Sequence, residues 1–179
     1  MHSAIPYLKP DLSGESSASD LIVSESDFPA SIRLGNGLLA CYLVEEGEHA
    51  TYVQNRHLRD AQMSLDKLHH VAIANLVERC RGNLQLHEFT HASALTIGGN
   101  FEASLLLVNA VWDSWISNKV ENGFLAVVPA RDVLLFCDSE SANGRQELAK
   151  AVDRVWPEGD HLISKQIFRR VAQGWVEDV

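Results

Sequence analysis

Positive charge is scarce in this chain relative to its opposite. Fifteen Lys and Arg stand against 24 Asp and Glu, a net charge of −9 with His neutral and a sequence pI near 5.3. A nucleic-acid binder needs a basic face to displace counterions from phosphate, so the balance argues against that class. It favours solubility and would suit a basic protein partner. Cysteine is also sparse: Cys41, Cys80 and Cys137 are the three in 179 residues. An odd, widely spaced set with no Cys-x-x-C indicates neither a zinc ribbon nor a thioredoxin-type motif. Cys41 and Cys137 lie in apolar runs, where a thiol behaves as a small hydrophobe, and reduced thiols fit a cytosolic setting. Long apolar runs are missing as well. None approaches the roughly 18 residues of a spanning helix, and the opening MHSAIPYLKPDLSGESSASD has no apolar secretory core. No Gly-x-Gly-x-x-Gly or P-loop occurs, and Ser104 lacks the Gly-x-Ser-x-Gly setting of a nucleophile elbow.

What is present is an ordinary globular composition, 46% hydrophobic and 22% charged. A chain of this length predicts one domain able to bury roughly 70% of its unfolded surface. Residues 1–20, with Pro6, Pro10 and a serine-rich run, read as a loosely held arm, leaving 21–179 as a single domain. The triplet Leu21-Ile22-Val23 reads as an edge strand. Gly35-Asn36-Gly37 marks a turn, 38–44 (LLACYLV) a central strand, and 51–53 its hairpin partner across Glu45-Glu46-Gly47-Glu48. A short helix is expected over 57–62. A longer one follows, capped by Ser64 and stopped by Gly82. Strands are expected near 84–89 and 94–97.

The densest apolar stretch is 98–139. There Asn100 can cap, and Glu102 can favour, a strongly apolar central helix over 101–116. Two strands follow, 124–128 and 133–136, joined by a Pro129-Ala130-Arg131-Asp132 turn. Leu148, Ala151, Val152, Val155 and Trp156 make an amphipathic helix that Pro157 and Gly159 end. Ser164 caps a short helix through Val171, and Trp175-Val176 is a last strand. Trp112, Trp115 and Trp156 are expected in the core and Trp175 partly exposed. Short links between strands demand antiparallel pairing, so the predicted class is α+β: a mainly antiparallel sheet with helices packed against it.

Four pieces of this sequence carry a resemblance. GGNFEASLLL (98–107), VVPARDVLLFCD (127–138), GDHLISKQIFRR (159–170) with its following Gly174-Trp175, and the hairpin over 38–53 resemble the corresponding motifs of the YtpQ-like family of bacterial cytosolic proteins. The first two are the specific ones. The resemblance runs from about residue 38 to the C-terminus, ahead of which the family's type member has a longer region. It implies a fold and a bacterial cytosolic setting; the family carries no established reaction to transfer.

Candidate sites divide into polar and acidic. Asn100 and Glu102 at a helix start, with Arg131 and Asp132 at a hairpin turn, form a candidate binding set; the plainer reading makes them caps and turn stabilisers. Glu45, Glu46 and Glu48 at a hairpin turn, with Trp175, form a candidate partner interface. Asp160-His161 lacks an identifiable nucleophile. His87 and His91, even with His69 or His70, make a poor ligand set, so neither metal nor cofactor is expected. No catalytic residue is assigned. These features point to a non-enzymatic, acidic, cytoplasmic protein-binding domain, with an immunity or inhibitor protein that neutralises a basic toxin domain as its particular form. The alternative is a small-ligand binder or hydrolase-like enzyme using Asn100, Glu102, Arg131 and Asp132. No nucleic-acid or membrane partner is expected.

Overall fold

In the first sheet the run at 38–46 decides the architecture, because it is apolar on both faces. Ala40, Cys41, Tyr42 and Leu43 are all buried, as a strand covered on both sides must be. A computed structural model describes residues 1–12, 24–47, 49–172 and 174–179. In it this run is strand β3 (Leu38–Glu46), flanked by β1 (Ile5–Pro10), β2 (Ser31–Gly35) and β4 (His49–Tyr52), all antiparallel. The β2–β3 turn needs left-handed backbone, which Gly35, Asn36 and Gly37 supply with φ of 79°, 52° and 69°. The fold class is α+β, and every strand pair described is antiparallel. The chain packs as two compact units, Met1–Leu76 and Val77–Val179.

The first unit corrects the reading of residues 1–20 as a loose arm. Ile5 to Pro10 pair with Leu43 to Leu38 of β3, and Tyr7 and Leu8 are buried. The two prolines are tolerated because β1 pairs on one side only. The rest of that call, and the strand expected at 21–23, lie outside the described residues. Helix α1 (Asn55–Asp60) follows β4, and α2 (Leu65–Asn83) begins in the first unit and ends in the second. Ser64 Oγ accepts from the Lys67 amide at 3.2 Å, the expected cap. Leu68, Ala72 and Leu76, spaced by four, are fully buried. Gly82 does not stop α2: the helix runs on to Asn83, whose side-chain amide donates to the Arg79 carbonyl at 2.9 Å.

In the second unit six strands run in the order β10-β9-β7-β8-β6-β5, with β5 Gln85–Glu88, β6 Ser93–Thr96, β7 Phe124–Ala130, β8 Val133–Asp138, β9 Phe168–Val171 and β10 Gly174–Glu177. Every residue of β7 is buried. Helix α3 (Ala142–Val155), capped by Ser141, packs on β7 and β8, and Leu148 and Val152 join Leu125 and Val127 in the core. Two further expectations are corrected here. Pro129 and Ala130 belong to β7, and the turn is Arg131-Asp132 alone. A register shift between Val127 and Ala130 accommodates the proline, whose carbonyl accepts from Ile163 at 2.9 Å. The helix expected from Ser164 is absent. Ser164 Oγ accepts from Gln166 in a local turn at 3.1 Å, and Phe168, fully buried, enters strand β9 beside β7.

The largest correction is the central helix expected over 101–116. The segment is instead a 3-10 turn (Ala103–Leu107), a π turn (Val111–Trp115) and a second 3-10 turn (Ser117–Lys119). The chain breaks at Val108, which leaves helical geometry at φ −97°, ψ 89°. A straight helix would spread its apolar side chains around most of its circumference and leave some uncovered. Breaking it lets Phe101, Leu105, Leu106, Val108, Val111, Trp112 and Ile116 all reach the interior. Trp115 is 39% exposed, contrary to its expected core place; Trp156 and Trp175 are half-buried.

Candidate functional site

A carboxylate can do chemistry only if its oxygens are not already spoken for, so the acids are best sorted by their partners. Glu102 is 1% exposed. Its Oε1 accepts from the amides of Ile97 at 2.9 Å and Gly99 at 2.6 Å, and its Oε2 from Phe101 at 3.0 Å. Gly98 and Gly99, with φ of 116° and 87°, turn those amides inward. Glu102 therefore fastens the loop ahead of it, and Asn100 is exposed on that loop. Asp138 plays the same part at the open end of the β7–β8 hairpin. It accepts from Glu121, Asn122 and Glu140 amides at 2.7, 3.0 and 2.9 Å, and from the Asn122 side chain at 3.1 Å. Burial pushes its carboxyl up, but these donors outweigh that and hold it at about 2. Asp178 receives Arg169 Nε at 2.7 Å, with Arg145 on its other oxygen. Burial again raises this carboxyl, and the two arginines bring it below the ordinary range.

The thiols are spent in another way. Cys41, Cys80 and Cys137 are free and buried. Burial pushes all three up, Cys80 and Cys137 to about 11, which leaves little thiolate at neutral pH. The histidines are dispersed. His69 bonds the buried Tyr42 hydroxyl at 2.9 Å, and His87 meets Thr96 Oγ1 at 2.9 Å. Among the described residues no group of three or more His, Cys, Asp or Glu is placed to hold a metal ion. No helix among them is long and apolar enough to cross a membrane.

Of the candidate binding set, Arg131 and Asp132 line one groove of about 300 Å³, together with Asp160 and His161. Asn100 and Glu102 do not line it; the link between the two pairs is a backbone bond, from the Ala103 amide to the Arg131 carbonyl at 3.0 Å. Asp160 Oδ1 accepts from the His161 amide at 2.8 Å, and its Oδ2 lies 3.2 Å from His161 Nε2. A second groove, of about 450 Å³, lies between the β5–β6 link and α3. Ala92, Leu135 and Ala151 line it as apolar members, and Phe89, His91, Glu147 and Arg154 stand around them. Arg154 lines both grooves. Phe89 is 62% exposed. A hydrogen bond from Lys150 and its charge, with the more distant charges of His91 and Arg154, hold Glu147 below the usual carboxylate range. Gly144 sets how closely α3 lies on this side of the sheet: a Cβ there would come within 2.7 Å of Cys137 Cβ and 2.8 Å of the His91 carbonyl.

Sequence reasoning missed Phe89, Glu147 and Arg154, and weighed His91 only as a metal ligand. An aromatic in the polar link Phe89-Thr90-His91 was the available signal, because an exposed ring on a short link has no core to join. For the candidate interface, Glu45 and Glu46 are exposed at the end of β3, and Glu48 lies outside the described residues. Trp175 points its indole inward. Its Nε1 donates to the Leu106 carbonyl at 2.9 Å, and its ring meets Trp112 edge-to-face at 4.7 Å. No family model, curated protein or solved structure matches the chain.

Proposed function

We propose that the chain is a non-enzymatic protein-binding domain of the bacterial cytosol, similar to the YtpQ-like proteins, that recognises a basic partner. Neutralisation of a basic toxin domain by an immunity-type protein is the particular case that this chemistry suits. The observation that carries the reading is how the acids divide. The carboxylates that gather several donors, Glu102, Asp138 and Asp178, are consumed in holding the fold together, so the acidic excess is expressed at the surface. Glu45 and Glu46 stand exposed on the β3–β4 hairpin, and β4 pairs with β3 alone among the described strands. Surface charge of one sign speeds encounter with a partner of the other sign and sets its salt dependence.

Capture from a bacterial lysate, with the wild type and the Glu45→Lys/Glu46→Lys variant as baits, tests this reading. A basic protein should be enriched by the wild type at low salt and released at high salt. Association of that protein with the variant should slow at least tenfold, while melting changes little because exposed charges contribute little to stability. Equal association by both baits, or binding indifferent to salt, would remove the acidic hairpin from the interface.

A further inference from the structure

The two grooves, which share Arg154, hold charges that enter no ion pair. Around Arg154, Glu147 is paired with Lys150 at 2.7 Å and Asp160 with His161 at 3.2 Å. Arg131, Arg154, Asp132 and Glu158 line the smaller groove. None of these four side chains makes an ion pair or hydrogen bond with another described residue. Two guanidiniums, Arg131 and Arg154, therefore line one space with the unpaired carboxylates of Asp132 and Glu158 and with Asp160, whose neighbour is the His161 ring. A simple anion would meet these carboxylates, and a simple cation the two arginines. A ligand carrying both charges on neighbouring atoms meets neither penalty. The adjoining groove supplies the opposite chemistry, with Ala92, Leu135 and Ala151 on its walls and the exposed Phe89 ring beside them. Volumes of about 450 and 300 Å³ leave room for a ligand of amino-acid size.

We infer that these grooves bind a free α-amino acid with a large apolar side chain. Its carboxylate sits on Arg154 and Arg131, where guanidinium offers paired donors. Its ammonium faces Asp132 and Glu158. Its side chain lies over Leu135 and Ala151 against Phe89, where an aromatic ring gains edge or offset contact. This goes beyond the protein-interface reading and shares no residue with it, so either can fail alone.

Calorimetric titration of the intact protein with L-phenylalanine tests it. Saturable binding in the roughly millimolar range is expected for a ligand this small. 3-Phenylpropionate, which lacks the ammonium, and phenethylamine, which lacks the carboxylate, should each bind at least tenfold more weakly, as should L-alanine. Arg154→Gln, Asp132→Asn and Phe89→Ala change exposed positions, so each should keep the wild-type melting temperature while weakening L-phenylalanine at least tenfold. Absence of saturable binding would overturn the proposal. So would equal affinity for 3-phenylpropionate, or an Arg154→Gln variant that binds like the wild type.

Discussion

The β7–β8 hairpin and the segment at 101–119 are comparably apolar, yet one is regular and the other is a chain of short turns. The hairpin has its polar groups satisfied by neighbours on a ladder, from Phe124↔Asp138 to Ala130↔Val133. The segment has no ladder and too little unbroken helix to satisfy itself, so it borrows partners. Glu102 takes three amides of the preceding loop. Indole N–H groups take two carbonyls: Trp112 Nε1 donates to Leu105 at 2.8 Å and Trp175 Nε1 to Leu106 at 2.9 Å. Arg170 ties the turn at 109–113 by bonds to Asn109 and Asp113 at 2.9 and 3.0 Å. Apolar content alone therefore selects burial, while the supply of hydrogen-bond partners selects the backbone geometry.

Substitutions can break this comparison in order of severity. Leu106→Asp places a carboxylate at a site 3% exposed, with no cation assigned to it. Several kcal/mol are lost, on the order of the whole stability of a domain, and loss of the cooperative melting transition should be visible by circular dichroism. On the hairpin side, Gly144→Ala forces a Cβ against Cys137 and the His91 carbonyl. Backbone cannot yield as a flexible side chain can, so about 1–3 kcal/mol is expected, read as a Tm lower by roughly 3–10 °C.

The smallest effect is at Asp138 and is pH-dependent. Its folded carboxyl lies at about 2 against an ordinary 3.8. A depressed acid contributes stability that is fully present above the ordinary value and is lost as pH falls through the folded one. Wild-type stability should therefore drop between about pH 4 and pH 2 more steeply than that of Asp138→Ala, which should cost about 1–2 kcal/mol at pH 7 and correspondingly less at pH 2. Parallel curves for the two proteins would show that the four donors do not favour the charged form.

The hairpin was legible in the sequence because near-continuous apolar runs on either side of a short polar link admit few alternatives. So were α3, by its apolar spacing, and the Gly-Asn-Gly turn before β3. The segment at 101–116 was not, because its apolar residues fall around most of a helix's circumference and mark no single face to set a period. Its anchors, Trp175 and Arg170, lie more than fifty residues downstream. The strand β1 was hidden by Pro6 and Pro10, whose missing donors matter only if the free edge must pair. In the candidate site, Arg131 and Asp132 were legible as a displayed turn pair, whereas Arg154 joins them only through the packing of α3 on the sheet, and Phe89 lines the other groove.

Amide hydrogen exchange of the wild type and of Glu102→Ala tests most directly whether Glu102, rather than a helix, organises this segment. The structure predicts protected amides at Ile97, Gly99 and Phe101 in the wild type, with protection at Ile97 and Gly99 collapsing in Glu102→Ala. The variant should also lose on the order of 3 kcal/mol, because three donors lose a charged acceptor. Continuous protection from 105 to 116, with Ile97 and Gly99 exchanging freely in the wild type, would instead be the signature of a regular helix and would contradict the account.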